Sequence, residues 1–573
     1  MRTKHIKYFI FLTFFLYLFL VFDTHFNGPD QPIYFAYTAS IIEDGDLNAV
    51  NHLDPTYPYY LSDGKIGISK TYNLPDFHNH GGIVLWLPFY IYAKLVYFIA
   101  SKLNITGLTA FGFDRLAKCA MSFSTITFGF LAVVFTYFFC KMFFSTKVAI
   151  WSVLAIFLGT PFFHYMLREV GNANIIACLF SVLSIWFCSY AISMRKSHWF
   201  FYGLFFSICM VVKLDLWFQI IFILFYFVVL FLMKQTGWRN GIYFLLGLSP
   251  MFILKITNDY IKYGTFYQGE FGLLNFKEFY LFEQLFSQYR GFFYTSPIFY
   301  ICLLGFMFLF IKLLKDKKFI DEKKMPEIFL IILSSYLFIK IFVLSYRYAW
   351  GGGAPGARAL LTEFPIFVLL YAGAIRNQRK YLRYFIGIIS PFLIFWNFLV
   401  ICEYMAGIDL NYIAGAPALG ERIKILKNIL APLFYIKDLD LKLKFCLPLV
   451  LVVFGICFYP ARRFTKLIYL SFKHTKNQDN HSSLKLFSLF TIYLCTAYLI
   501  ITLLNIFNNK KNTEKLIAER FFENARIISA FEFERQENVG SMNEMIEYFR
   551  LRGNKDKANK IKEYKNQIYG DDG

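Results

Sequence analysis

Four stretches of this chain set side chains that can do chemistry beside glycine or proline. The first runs Asn27-Gly28-Pro29-Asp30-Gln31-Pro32 and continues to Glu43-Asp44-Gly45-Asp46. Asp30 has two readings, and both stay open. Asp followed closely by Pro is a good helix N-cap that satisfies orphan amide donors. A carboxylate at a helix N-terminus also keeps a low pKa and can accept a hydroxyl hydrogen bond as a weak general base. The second stretch is Arg168-Glu169-Val170-Gly171-Asn172, where Glu169 is either half of an interfacial ion pair or a second carboxylate for a sugar hydroxyl or a metal. The third reads Tyr346-Arg347-Tyr348-Ala349-Trp350-Gly351-Gly352-Gly353-Ala354-Pro355-Gly356-Ala357-Arg358. Glycines let backbone amides approach a ligand, and Arg347 and Arg358 carry forked donors suited to phosphate. Trp350 and Tyr348 are interface anchors or a platform for a sugar ring. The fourth, Tyr289-Arg290-Gly291-Phe292, puts another Arg at the start of an apolar run.

The elements that must position these residues follow from composition. Of 573 residues, 57% are hydrophobic and 21% aromatic, mean hydropathy is +0.47, and the apolar residues come in long runs. That pattern describes an all-α polytopic membrane protein. The formal charge of +21 fits Lys and Arg retained in cytoplasmic loops better than a nucleic-acid surface. Most of the ten Cys fall inside apolar runs with no metal spacing, as small core hydrophobes do. A basic N-terminus precedes the apolar run 8–22, which lacks a small-residue cleavage site and reads as an uncleaved first span. Further spans fit 116–139, 148–166, 175–193, 199–213, 216–233, 241–258, 296–314, 326–345, 359–375, 384–402, 443–459 and 485–507.

Loop charge supports this count of about 13. Alternation from a cytoplasmic N-terminus places 141–147, 195–196, 234–239, 315–324, 376–383 and 462–485 inside, and each is basic. The four chemistry-bearing stretches then all lie outside. Reading the apolar segment 82–101 as a span would invert every later loop, so it is expected to lie in the interface within a long first outside loop, 23–115. Lys213-Leu214-Asp215 reads as a tight outside turn between spans. The tail, 508–573, is highly charged with helical apolar spacing, a small helical appendage outside the membrane.

On these residues the chain resembles the polytopic GT-C glycosyltransferases, the class that includes lipid A aminoarabinose transferases and protein O-mannosyltransferases. Asp30 with Tyr34, Ala36 and Asp44-Gly45-Asp46 resembles their first outside loop. Trp350 through Arg358 is similar to a Trp-Gly-Arg signature of uncharacterised bacterial members. Arg290 to Ser296-Pro297 resembles their lead-in to a later span. The resemblance implies a 1–507 transferase domain in the inner (plasma) membrane, with its N-terminus cytoplasmic and its C-terminus extracytoplasmic. It implies inverting transfer of a sugar from a polyprenyl-phosphate-linked donor to a lipid, glycan or protein acceptor. In that scheme Asp30 and Glu169 are catalytic, with Asp30 the base. Arg358, Arg347 and Arg290 hold the donor phosphate, and Trp350, Tyr34 and Tyr348 meet sugar or acceptor. Where relatives often carry a double acid, this chain has Gln31 after Asp30. Metal need varies across the class; His78 and His80 are candidate ligands for a divalent ion, with surface histidines the plainer reading. No glycine-rich phosphate loop follows a strand, as a nucleotide-sugar domain would require.

Two rivals fit the same architecture: a lipid or glycan transporter or flippase, and an O-antigen ligase-type transferase. Against a transporter, no chain of ionisable groups runs through the spans and no inverted repeat is evident, while the polar residues concentrate in the outside loops.

Overall fold

The computed structural model describes residues 3–26, 30–45, 52, 80–191, 196–213, 216, 218–234, 236–263, 279–287, 290–315, 325–346, 358–376, 380–405, 438–448, 494–500, 559 and 562. Among these no strand occurs, and the chain is a helical bundle. In order come α1 (Thr3–Val21), α2 (Asp30–Glu43), α3 (Ile83–Lys102), α4 (Thr106–Thr109), α5 (Phe113–Phe143) and α6 (Thr146–Gly159). Next are α7 (Phe162–Leu167), α8 (Ala173–Ala191), α9 (Lys196–Val212), α10 (Gln219–Leu232) and α11 (Trp238–Tyr263). Then follow α12 (Leu281–Phe286), α13 (Phe292–Thr295), α14 (Phe299–Lys315) and α15 (Met325–Leu344). A 3-10 turn, Arg358–Glu363, leads into α16 (Phe364–Arg376), and α17 is Lys380–Met405. The helical turn Leu439–Leu441 continues into a π-helical turn, Lys442–Cys446.

Most expected spans coincide with a helix, but not all are long enough to cross a membrane. Five of the described helices are: Ile83–Lys102, Phe113–Phe143, Trp238–Asn258, Arg358–Arg376 and Lys380–Tyr404. The expected span 148–166 is broken at Thr160-Pro161 into α6 and α7. Pro161 has no amide hydrogen to continue the ladder, which explains the break. The segment expected to lie flat, α3, is itself long and apolar enough to cross. Its rings pair with the first half of α5: Phe89 with Phe123 and Phe128, Tyr90 and Tyr97 with Phe113. The spans expected at 443–459 and 485–507 and the tail 508–573 fall largely outside the described residues.

Close packing depends on small residues. A Cβ at Gly203 would lie 2.0 Å from the Phe244 carbonyl oxygen, and one at Gly247 1.9 Å from that of Phe200. These glycines let α9 and α11 touch backbone to backbone, as association within an apolar solvent requires. Buried hydroxyls fold back onto their own helices: Ser334 donates to the Leu330 carbonyl at 2.6 Å, and Thr127 to that of Phe123 at 3.0 Å.

The bundle has two chemically distinct ends. Phe14 and Phe15 of α1 pair with Phe130, while Phe19 and Phe22 pair with Phe123, so α1 and α5 run antiparallel. At one end the Arg376 guanidinium donates to the Phe143 carbonyl at 2.7 Å and covers the Phe144 ring. At the other end the Asp23 amide, just past α1, donates to the Leu167 carbonyl at 2.9 Å. The end with Arg376 belongs to loops expected inside, and the end with Asp23 to loops expected outside.

Near Asp23 an ionic collar ties the end of α1 and the start of α5 to the segment 438–446. Thr24 and Arg115 both donate to the Asp438 carboxylate, and Lys442 donates to the Leu20 and Phe22 carbonyls at 2.8 and 2.6 Å. Those carbonyls are unsatisfied at the last turn of α1, and a cation is the complement they need. Burial alone would raise the Asp438 carboxyl, but the Thr24 hydroxyl and the Arg115 guanidinium outweigh it and hold it below the usual carboxylate range. A depressed folded-state pKa gives a stabilisation that is complete above the ordinary value of about 4 and lost as pH falls through the folded value. Asp438→Asn is therefore expected to lower the thermal midpoint at neutral pH, with the gap to wild type closing under acid; a gap constant with pH would remove this role.

Candidate functional site

Glu169 is the centre of the site. It sits in the tight turn after α7, and its amide and that of Arg168 both converge on the His164 carbonyl, at 3.3 and 2.8 Å. The carboxylate is 5% exposed and accepts the Tyr404 hydroxyl at 3.0 Å. Tyr404 comes from the far end of α17, 235 positions away in sequence. Glu169, Arg290 and Arg358 all lie close enough for their charges to act on the Tyr404 hydroxyl. Two cations and one carboxylate thus stand in the electrostatic neighbourhood of one phenol.

Each charged side chain is carried by an element packed on the next. Arg290, 9% exposed, precedes α13; Arg358 opens the 3-10 turn that leads into α16. Below them Phe162, just before His164, stacks on Phe364 with centroids 4.4 Å apart, and Phe292 and Phe299 stack at 3.8 Å and meet Phe367. This aromatic seam fixes the three elements relative to one another, and edge and stacked ring pairs add to the burial they already provide.

Gly171 brings the turn after Glu169 against the start of α2. Its φ of +82° suits glycine, its amide donates to the Thr125 hydroxyl at 2.7 Å, and an added Cβ would meet Phe26 at 3.3 Å and Gln31 at 3.4 Å. Gln31 lies in the first turn of α2, so the start of that helix abuts the turn that follows Glu169. Asp30 is the first residue of α2, and its side chain lies outside the described residues. Behind this contact Asn172 caps α8 through the Asn174 amide at 2.9 Å, and Lys213 donates to the Asn174 side chain. Lys213 therefore ties the end of α9 to the second loop as well as marking a boundary.

Sequence reasoning missed several members of the site. His164 is 2% exposed, its Nε2 lies 3.5 Å from Glu169, and neither ring nitrogen has a hydrogen-bond partner among the described residues. Its ring meets Tyr404 edge-on with centroids 5.6 Å apart. Arg168, expected to pair with Glu169, instead turns toward Asp23 at 3.9 Å. Tyr34 is buried against Trp86, with centroids 4.6 Å apart, within the α2–α3 packing. Arg347, Tyr348, Trp350 and His78 lie outside the described residues, as does the side chain of His80, whose backbone opens a short 3-10 turn. Among the described residues no three His, Cys, Asp or Glu side chains gather as a metal site.

The apolar helices hold a buried ion pair that sequence reasoning did not single out. Lys340 of α15 and Glu363 of the 3-10 turn, both 0% exposed, pair at 2.6 Å inside the bundle. Glu363 also accepts Tyr336 at 2.9 Å and Thr362 at 3.0 Å. Lys340 is tolerated in the run 326–345 because its partner lies in the next element, as charges at membrane depth require.

No family model, curated protein or solved structure matches this chain.

Proposed function

We propose that the chain is a multi-pass GT-C type glycosyltransferase of about 13 helices in the inner (plasma) membrane, moving a sugar from a polyprenyl-phosphate donor to an acceptor hydroxyl on the outer face. The observation that carries this reading is the gathering of Glu169, Arg290 and Arg358 around Tyr404 at the end of the bundle opposite Arg376. A lipid-linked donor accounts for an enzyme built almost wholly of apolar helices. Arg358 and Arg290 would neutralise the departing phosphate, the electrostatic part of catalysis. Asp30 would take the proton of the acceptor hydroxyl as its oxygen attacks the anomeric carbon. The bond from that carbon to the phosphate oxygen breaks, and configuration inverts. Glu169, fixed by Tyr404, would orient a sugar or acceptor hydroxyl.

Incubation of the purified full chain with radiolabelled polyprenyl-phosphate sugars and a panel of acceptors tests the reading. Label is expected to move onto an acceptor. Movement of intact labelled lipid between the leaflets of proteoliposomes, with no new glycoside, would favour the transporter instead. Arg358→Ala is expected to slow transfer by about 10²–10³-fold, the usual effect of losing one preorganised donor. Donor binding should weaken more than acceptor binding; the opposite ranking would argue against a phosphate role. Among the described residues, the Lys340–Glu363 pair is a feature that favours a transporter. It is a closed pair hydrogen-bonded to Thr362 and Tyr336, however, and a proton pathway needs a series of groups.

A further inference from the structure

Cys119 and Cys446 are 327 positions apart in sequence, yet their sulfurs lie 3.4 Å from each other, and both residues are 0% exposed. Cys119 stands one turn before Phe123 on α5, level with the end of α1 and so at the end of the bundle that carries Asp23. Cys446 closes the π-helical turn Lys442–Cys446. Such a turn is rare and tends to occur where a side chain is being placed. The segment is held from three sides. Tyr92 donates to the Phe445 carbonyl at 2.8 Å, Lys442 to the end of α1, and Asp438 accepts Arg115 of α5.

We propose that Cys119 and Cys446 form a disulfide that staples the 438–446 segment to α5 at the base of the first outside loop. Closing from 3.4 Å to the bonded length of about 2.0 Å asks for a shift of roughly 1.4 Å, within reach of side-chain rotation when the backbones are already adjacent. The co-reactant is a thiol–disulfide oxidant, RS–SR. One cysteine thiolate attacks it, forming a mixed disulfide and releasing RS⁻. The second thiolate then attacks the bound sulfur, forming the Cys119–Cys446 bond and releasing the other RS⁻. Two thiols lose two protons and two electrons, and the oxidant is reduced to two thiols. A link across so long a stretch of chain removes much of the freedom of the unfolded state. It also fixes Lys442 under the α1 terminus from which the loop carrying Asp30 departs. The proposal does not depend on sugar transfer.

The test is a thiol count on the purified full chain. The protein is equilibrated with oxidised and reduced glutathione, denatured, and alkylated with N-ethylmaleimide with or without prior reduction. Without reductant the wild type is expected to show two fewer alkylated thiols than its ten cysteines, and peptide mass mapping should join Cys119 to Cys446. Cys119→Ser and Cys446→Ser should each give the same count with and without reductant. Wild-type protein with all ten thiols open to alkylation after excess oxidised glutathione would overturn the proposal, as would a cross-link mapped to any other pair.

Discussion

Asp30→Asn is expected to lower sugar transfer by about 10²–10⁴-fold, the span a positioned general base contributes, while leaving the protein as stable as wild type. The substitution separates the two readings of this residue. Asn caps a helix about as well as Asp, so α2, which starts at Asp30, should keep its N-terminus. What Asn cannot do is take a proton from an acceptor hydroxyl. The contact between Gln31 and the Gly171 turn should therefore persist, and with it the register of the first outside loop on the second. Donor binding, governed by Arg358 and Arg290, should stay near the wild-type value. Measured together, turnover, donor affinity and thermal midpoint decide the matter. Near-normal turnover would return Asp30 to a capping role and pass the base assignment to Glu169, whose hydrogen bond from Tyr404 already orients it. A fall in the thermal midpoint as large as the fall in turnover would mean that the cap, not the base, had been lost.

What the sequence made legible, and what it hid, divides along a physical line. Long apolar runs announce helices because each must satisfy its own backbone in an apolar solvent, and α5, α11 and α17 appear where the runs predict them. Glu169, Arg290 and Arg358 stood out because charges beside glycine and proline at the ends of runs are conspicuous, and the structure brings those three together. Tyr404 and His164 gave no such signal. One is a Tyr at the end of an aromatic-rich run and the other a His amid Phe162, Phe163 and Tyr165, and each acquires meaning only through Glu169. The break at Pro161 was open to view, but the apolar residues on both sides make a single long span of what folds as two helices. Tyr34 misled for a related reason. The resemblance implied a sugar or acceptor contact for it, whereas the face of α2 that carries it is the face that packs on Trp86 of α3. Lys340 was the clearest signal passed over, a lone cation in an apolar run, because no acid was near it in sequence.

Lys340→Ala is expected to destabilise the protein by about 3–5 kcal/mol, the cost of leaving a buried carboxylate without its cation. Glu363 Oε1 gathers Lys340, Tyr336 and Thr362 within 2.6–3.0 Å, and its second oxygen has no partner among the described residues. With Lys340 gone, two neutral hydroxyls remain against a charge that water does not reach. The pair also ends the 3-10 turn that Arg358 begins. Five residues at about 2.0 Å rise each put the ion pair roughly 10 Å from that Arg, so loosening one end of the turn loosens the other. A second variant separates stability from positioning. Replacing both partners, Lys340→Met with Glu363→Leu, removes the charges together, and such exchanges are often neutral or stabilising. If the pair serves only to satisfy itself, the double variant should fold and transfer sugar normally. If it holds Arg358 in place, the double variant should keep its thermal midpoint yet bind donor more weakly. A single Lys340→Ala variant as stable as wild type would show that Glu363 is neutral in the folded protein and that no ion pair exists to be broken.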